Sequence, residues 1–133
     1  MPFPVELKYI EALEADLQLK FPEKFKQRMQ LNNGGELDSE EFEFELYPFW
    51  DRKDRKRISR TCNHIGSETQ GARQWPGFPP TAVAIGGDGF GNQLVLLVKG
   101  GAGLLSEELF IWDHESGELR KIADSIEAIE SER

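Results

Sequence analysis

The amino-acid sequence predicts an α+β fold with several helices and several β-strands. Apolar residues recur every three to four positions near the N-terminus, they alternate strictly with acidic residues around position 44, and glycine-rich turns separate short apolar runs after position 80. The chain has 133 residues, and one ordinary domain has roughly 100–200. Because no repeat, low-complexity tract or linker divides it, residues 1–133 are expected to fold as a single domain.

The first part of the chain predicts two helices. Apolar residues recur at helical spacing from Val5 to Leu17, so this segment is expected to form an amphipathic helix that ends near Lys20. Pro22 stands where helices often begin, and residues 32–35, Asn-Asn-Gly-Gly, tolerate the positive φ that ends a helix. A second, short helix is therefore expected between them.

A third helix is expected within residues 51–70, where Ile58, Cys62 and Ile65 recur at helical spacing among polar residues. Cys62 is then a small core residue. His64 follows two positions later, and on a helix this spacing directs the two side chains to different faces. A catalytic cysteine–histidine pair is therefore not expected here.

Residues 41–47 give the clearest strand signal. Apolar and acidic residues alternate strictly, which predicts a strand with one buried face and one acidic face. Two apolar runs, 81–85 and 94–98, flank a glycine-rich turn and predict a hairpin in the centre of the sheet, covered on both faces. A second hairpin is expected from 109–112 and 119–122, which a Ser-Gly turn joins.

Two further segments complete the predicted fold. Residues 71–80 are rich in proline and glycine and predict a loop, which Trp75 and Phe78 pin to the body by burial. Asp124 and Glu127 stand three positions apart, as in a capping box, and predict the start of a last helix.

Composition favours a cytoplasmic protein. Cys62 is the sole cysteine, so no internal disulfide can form, and the N-terminus lacks the basic and apolar regions of a leader. No apolar run approaches the ~18 residues of a membrane-spanning helix. The formal net charge of −8 argues against nucleic acid as the main partner and permits a basic protein partner.

Few residues suit catalysis or metal binding. The candidates are Cys62, His64 and His114, which lack the partners that nucleophilic catalysis needs and the spacings of zinc ligands. The run from Gly86 to Asn92 is expected to be a tight turn, because a strand follows it whereas a dinucleotide-binding loop opens a helix. It also lacks the further acids of a calcium loop. No catalytic residue, metal ligand or cofactor is predicted.

Charge is distributed in two blocks: residues 36–45 hold six acids and residues 52–60 hold six bases. The blocks can neutralise each other in part within the fold. Alternatively, the acidic block is a decoy surface for a basic toxin or enzyme. A nucleic-acid patch on the basic block is the least favoured alternative, because aromatic residues are not interleaved with its bases. The residues predicted to bind a partner are Asp38, Glu40, Glu41, Glu43, Glu45, Asp51 and Asp88.

Several motifs, in order along the chain, resemble those of the SUKH superfamily, which includes fungal cell-wall-synthesis regulators and many bacterial immunity proteins. They are Phe-Pro-Glu-Lys-Phe-Lys at 21–26, Asn-Gly-Gly at 33–35, the glycine-rich turn at 84–92, Ile-Trp-Asp-His-Glu at 111–115 and Ile-Ala-Asp-Ser-Ile at 122–126. The resemblance covers nearly the whole chain. Phe90 departs from it, since glycine or a small residue is common at that position.

The resemblance implies helices packed on a mixed or antiparallel sheet, no catalytic residues, and protein binding as the activity. In bacteria such domains often neutralise toxins, frequently nucleases, by direct binding. Our first hypothesis is therefore an immunity-type protein that uses the acidic block and the loop around Asp88. The second is an intracellular scaffold or regulator that binds a housekeeping protein. An enzyme that uses Cys62 or His114 has the least support.

Overall fold

The computed structural model describes residues 2–130 and confirms the α+β fold class. The helices of this part are α1 (Leu7–Leu17), α2 (Glu23–Leu31), α3 (Arg55–Arg60), α4 (Ile65–Ala72) and α5 (Ile126–Glu130). The strands are β1 (Gly35–Asp38), β2 (Glu43–Leu46), β3 (Val83–Gly87), β4 (Gln93–Leu96), β5 (Val98–Lys99), β6 (Leu104–Leu105), β7 (Leu109–Trp112) and β8 (Leu119–Ala123).

Six of these strands form one antiparallel sheet in the order β1-β2-β3-β4-β7-β8, with β1 and β8 at its edges. The hairpin predicted to be central, β3–β4, is central. The register of this hairpin shifts between Ala84 and Gly86, which is typical of a β-bulge. Strands β5 and β6 pair separately, in a small two-stranded sheet. Strand β1 was not predicted.

The central strands β3 and β4 are buried on both faces of the sheet, to which consecutive residues of a strand point in turn. On one face Val83, Ile85 and Leu94 belong to the larger core cluster, which also holds buried residues of α1, α2 and α5. On the other face Ala84 and Val95 belong to a smaller cluster under α4 and the following loop, with Ala72, Phe78 and Trp112. Burial on both faces explains the continuous apolar runs of β3 and β4.

The buried carboxylate of Glu14 holds the turn between α1 and α2. Its Oε2 accepts a hydrogen bond from the Phe21 N–H at 2.8 Å and lies 3.4 Å from the ammonium nitrogen of Lys26. Burial lowers the pKa of Lys26, but the negative charges of Glu14 and Glu23 outweigh that effect and leave the pKa raised. This polar contact ties the two helices at the point where the chain reverses.

The prediction of one helix across residues 51–70 was wrong, since α3 and α4 are separate. Thr61 turns inward, where its hydroxyl accepts from the Asp51 N–H and donates to the Arg57 carbonyl. His64 then caps α4, because its Nδ1 accepts from the Ser67 N–H at 3.2 Å. Cys62 lies in the break and is exposed, so its prediction as a core residue was also wrong.

Two smaller predictions need correction. Phe78 is buried and pins the loop after α4, but Trp75 is 58% exposed. The cap of α5 is Ser125, whose hydroxyl accepts from the Ala128 N–H, rather than Asp124. The Asp124 carboxylate instead pairs with Lys121 at 2.7 Å. Ser125 is buried and directly precedes α5, so its short side chain lies within reach of the first N–H groups of the helix.

Candidate functional site

The β1–β2 hairpin carries four acids on one face. Its antiparallel register pairs Glu36 with Glu45 and Asp38 with Glu43. Between these pairs, Leu37 opposite Phe44 points to the other side and belongs to the core. Since side chains directly opposite each other in a sheet share a face, the register brings all four carboxylates together.

Asp88, in the turn after β3, extends this acidic surface. Strand β3 pairs with β2 through Glu45 and Gly87, so Asp88 follows immediately beside the hairpin. The Asp88 carboxylate orders its own turn by accepting from the Phe90 N–H at 2.8 Å and from the Asn92 amide at 2.9 Å. We call the five acids Glu36, Asp38, Glu43, Glu45 and Asp88 the acidic face. The described residues that line its shallow groove include no lysine or arginine.

Phe90 stands at the tip of the same turn, with 81% of its surface exposed. It lines a groove with Glu40, Glu41, Glu43 and Asp88. Aromatic residues are enriched at protein–protein interfaces, so Phe90 is a candidate interface anchor. The sequence contained one sign of it, namely a phenylalanine in a turn where glycine or a small residue is common.

The acidic face is open because the covering elements stop short of it. Helix α4 and its following loop cover the same side of the sheet over Ala84, Val95 and Trp112. Tyr47 lies at the boundary, where its hydroxyl donates to Gln93 Oε1 at 2.8 Å and burial raises its pKa to about 12. Beyond it, the carboxylates of Glu43 and Glu45 are exposed.

Like charges directly opposite each other in a sheet are destabilising. The pairs Glu36–Glu45 and Asp38–Glu43 therefore work against the hairpin that carries them. The rest of the fold offsets this repulsion.

The seven acids predicted to bind a partner fall into three places. Asp38, Glu43, Glu45 and Asp88 lie in the acidic face, which also includes Glu36 although it was not predicted. Glu40 and Glu41 lie in the exposed turn between β1 and β2, beside Phe90. Asp51 is separate and buried, only 2% exposed.

The Asp51 carboxylate is an internal support. It accepts from the Lys53 N–H at 3.1 Å, and its other oxygen lies 3.5 Å from Nε of Arg57. A carboxylate held in this way stabilises the connection into α3. Grouping Asp51 with the exposed acids was wrong, because its side chain points into the protein.

The basic segment, residues 52–60, does not neutralise the acidic face by direct pairing. Its ion pairs within residues 2–130 join Lys53 to Glu6, and Arg57 to Asp51 and Asp54. Glu36 and Glu45 line the groove that also holds Arg57 and Arg60. No ion pair within 4.0 Å crosses that groove between these four described side chains.

The Asn-Gly-Gly trio is a structural junction. The Asn33 side-chain amide donates to the Phe49 carbonyl at 2.9 Å and accepts from the Phe49 N–H at 2.8 Å. The backbone N–H of Asn33 donates to the Phe3 carbonyl. Gly34 has φ 110°, and a Cβ there would lie 3.2 Å from the Leu46 carbonyl oxygen, so any side chain at this position would strain the backbone.

The two histidines also have structural roles. His64 caps α4 and stacks on Trp50 with ring centroids 5.0 Å apart. His114 lies against the glycine-rich turn, with Nδ1 2.9 Å from Oδ1 of Asn92. Within residues 2–130, no three His, Cys, Asp or Glu side chains are arranged to hold a metal ion. In the same part of the chain, no helix is long and apolar enough to cross a lipid bilayer.

Comparison with protein-family models gives a match to the SMI1 / KNR4 family (SUKH-1) over residues 4–131. The chain belongs to this family. The match confirms the resemblance seen in the sequence, and the SUKH-1 assignment covers every element from α1 to α5. No curated protein and no solved structure matches the chain. Membership in SUKH-1 is consistent with protein binding as the activity.

Proposed function

We propose that this SUKH-1 chain is a cytoplasmic, non-enzymatic, immunity-type protein that neutralises a cognate bacterial toxin by direct binding. Family membership supports the class of function. The observation that carries the proposal is the exposed Phe90 ring beside the acidic face and the turn acids Glu40 and Glu41. An aromatic anchor inside a charged rim is the usual composition of an interface hot spot.

The sign of the charge specifies the partner. A surface of carboxylates with an aromatic centre fits a basic protein surface that offers an apolar pocket, such as the nucleic-acid-binding face of a nuclease. Complementary charge raises the association rate and excludes acidic partners. Covering that face blocks the toxin's substrate, so inhibition follows from occupancy and needs no chemistry by the immunity protein.

The test is co-expression with the toxin-like product of the neighbouring gene, with growth rescue and calorimetric affinity as readouts. Phe90→Ala is expected to weaken binding by about 2 kcal/mol, a typical hot-spot value. The double variant Glu43→Lys with Glu45→Lys is expected to reduce the association rate and to abolish rescue. Normal rescue by both variants would remove the acidic face from the proposal.

Two controls separate local from general effects. Trp75→Ala deletes another exposed aromatic ring, on the loop after α4, and is expected to leave rescue unchanged. Glu11→Lys with Glu118→Lys makes the same charge change at exposed sites outside the acidic face. A stoichiometric complex with a housekeeping protein, and none with the toxin, would replace the immunity role with that of a scaffold or regulator.

A further inference from the structure

The basic segment, residues 52–60, forms a second charged surface, which differs from the acidic face. Helix α3 has no buried residue, and it presents its arginine and lysine side chains to solvent. Arg57 is paired with carboxylates, whereas Arg52, Lys56 and Arg60 have no carboxylate oxygen within 4.0 Å among the described residues. Their charges are therefore available to a partner.

These cations do not extend freely into water, because they lie over aromatic rings, two of which, Phe3 and Tyr9, come from the distant N-terminal part of the chain. Arg60 lies 4.8 Å and Lys56 5.6 Å from the ring centroid of Phe3. Arg52 lies 4.9 Å from the ring centroid of Trp50 and 5.8 Å from that of Tyr9. Arg57 also lies 4.5 Å from the Phe3 ring centroid, so among the described residues the basic segment makes five contacts of this kind. Phe3 lines one groove with Arg60, and Arg52 lines another groove with Tyr9 and Trp50.

We call this set of residues, Phe3, Tyr9, Trp50, Arg52, Lys56 and Arg60, the cation–aromatic surface. The Phe3 backbone and the Trp50 ring are held by contacts within the protein. The Phe3 carbonyl accepts from the Asn33 N–H at 2.9 Å, and Trp50 stacks on His64 with the ring planes 11° apart. Contact with the rings restricts the cations in part before a partner arrives, which lowers the entropic cost of binding.

We propose that the cation–aromatic surface docks a short acidic segment of a protein partner, through carboxylates that meet Arg52, Lys56 and Arg60. The proposal rests on the proposed function in one respect only, that the partner is a protein. A partner that also meets the acidic face would then carry charges of both signs, which fixes its orientation as well as its identity.

A carboxylate-rich peptide fits this surface better than a nucleic acid does. Binding of single strands relies on bases that stack on open aromatic faces, whereas here cations lie over Phe3 and Trp50. The groove beside Arg60 has Glu36 and Glu45 on its lining, so a long polyanion would meet carboxylates. Arg52 and Lys56 do not line this groove, so a short acidic segment can meet these two cations away from Glu36 and Glu45.

The test is a titration of the ¹⁵N-labelled full chain with a short peptide of alternating glutamate and glycine, followed in amide correlation spectra. Shifts are expected at residues 50–60 and at the Trp50 indole, and they are expected to weaken with salt. Lys56→Glu with Arg60→Glu is expected to lower the affinity at least about tenfold, which corresponds to ~1.4 kcal/mol. Lys24→Glu with Lys99→Glu is the charge-matched control and is expected to bind like the unaltered chain.

Three results would overturn the proposal: shifts elsewhere on the molecule, equal loss of affinity in the control variant, or binding of a single-stranded oligonucleotide of equal charge in preference to the peptide. Well-dispersed spectra of the variants exclude misfolding as the cause. Glu43→Lys with Glu45→Lys is expected to retain the acidic peptide even if it no longer rescues growth. Failure of the acidic-face proposal is thereby distinguished from failure of this one.

Discussion

Glu36 and Glu45 lie directly opposite each other on the exposed face of the β1–β2 hairpin. Glu45→Lys converts this repulsive pair into an attractive one and is expected to stabilise the fold by about 0.2–1 kcal/mol. Urea denaturation measures the change, with Glu11→Lys as a control for net charge. The same substitution is expected to weaken toxin binding, so stability and affinity should move in opposite directions. A destabilised Glu45→Lys protein would mean that the carboxylate supports the hairpin.

Asn33 is expected to be among the polar residues whose replacement lowers the unfolding free energy most. Asn33→Ala removes both hydrogen bonds to the Phe49 backbone and leaves a buried N–H and carbonyl unsatisfied, at a cost of about 2–4 kcal/mol. The neighbouring Asn32 is exposed, and Asn32→Ala is expected to change the unfolding free energy by less than about 0.5 kcal/mol. Chemical denaturation of the two variants checks the difference. Equal costs would contradict the assigned role of the Asn33 side chain.

Gly87 leaves room for the hydroxyl of Tyr47. A Cβ at this position would lie 2.6 Å from that oxygen, so Gly87→Ala is expected to cost about 1–3 kcal/mol through overpacking. Tyr47→Phe removes the obstructing atom, and the double variant is expected to be less destabilised than the sum of the single changes. Additive costs in thermal or urea unfolding would place the strain elsewhere.

Gly71 is a control for Gly87, because a side chain has room at this position. It lies in α4, and a Cβ there would meet nothing within 4 Å. Gly71→Ala is therefore expected to stabilise the protein, by about 0.4–1 kcal/mol, because the unfolded chain loses more freedom than the helix does. The same unfolding experiments measure it.

His64 is expected to make stability depend on pH. Burial, together with the charge of Arg52, lowers the pKa of its imidazole below the ordinary value of 6.5. Between the two pKa values the unfolded chain binds more protons than the folded chain, so stability rises with pH in that window. The contribution of His64 is complete above pH 6.5 and is lost as the pH falls through the folded pKa.

The variant His64→Asn tests this, since asparagine also caps helices but does not titrate. Unfolding free energies are measured on both proteins from neutral pH down to about pH 5. The unaltered protein is expected to lose more stability on acidification than the variant does. Parallel profiles would show that carboxylates, rather than His64, set the pH dependence in this range.

The elements that the sequence predicted correctly are those in which one pattern dominates. Strict alternation identified β2, and apolar runs around a glycine-rich turn identified β3 and β4. Strand β1 escaped because it is four residues long and only Leu37 is buried within it. The break between α3 and α4 escaped because Ile58 fits a helical spacing yet lies on the surface, and because His64 is an uncommon helix cap.

The candidate sites were predictable only where their residues are close in sequence. The alternation of acidic and apolar residues predicted most of the acidic face. Glu36 was not predicted, because strand β1, which carries it, was not predicted. Most of the cation–aromatic surface could not be predicted, because Phe3 meets Arg60 and Tyr9 meets Arg52 only through tertiary packing. Aromatic residues do not alternate with the bases in the sequence of the basic segment, but aromatic rings do lie beside these bases in the folded protein.

The two edges of the six-stranded sheet carry opposite charges. Strand β1 presents Glu36 and Asp38, whereas strand β8 presents Arg120 and a lysine, Lys121, that is paired with Glu108 and Asp124. Charged side chains on an edge strand discourage other chains from adding to it, which protects against aggregation. Because the signs differ, β1 of one molecule does not repel β8 of another. Any pairing of these two edges between molecules is therefore expected to weaken as salt is added, because salt screens exposed charges.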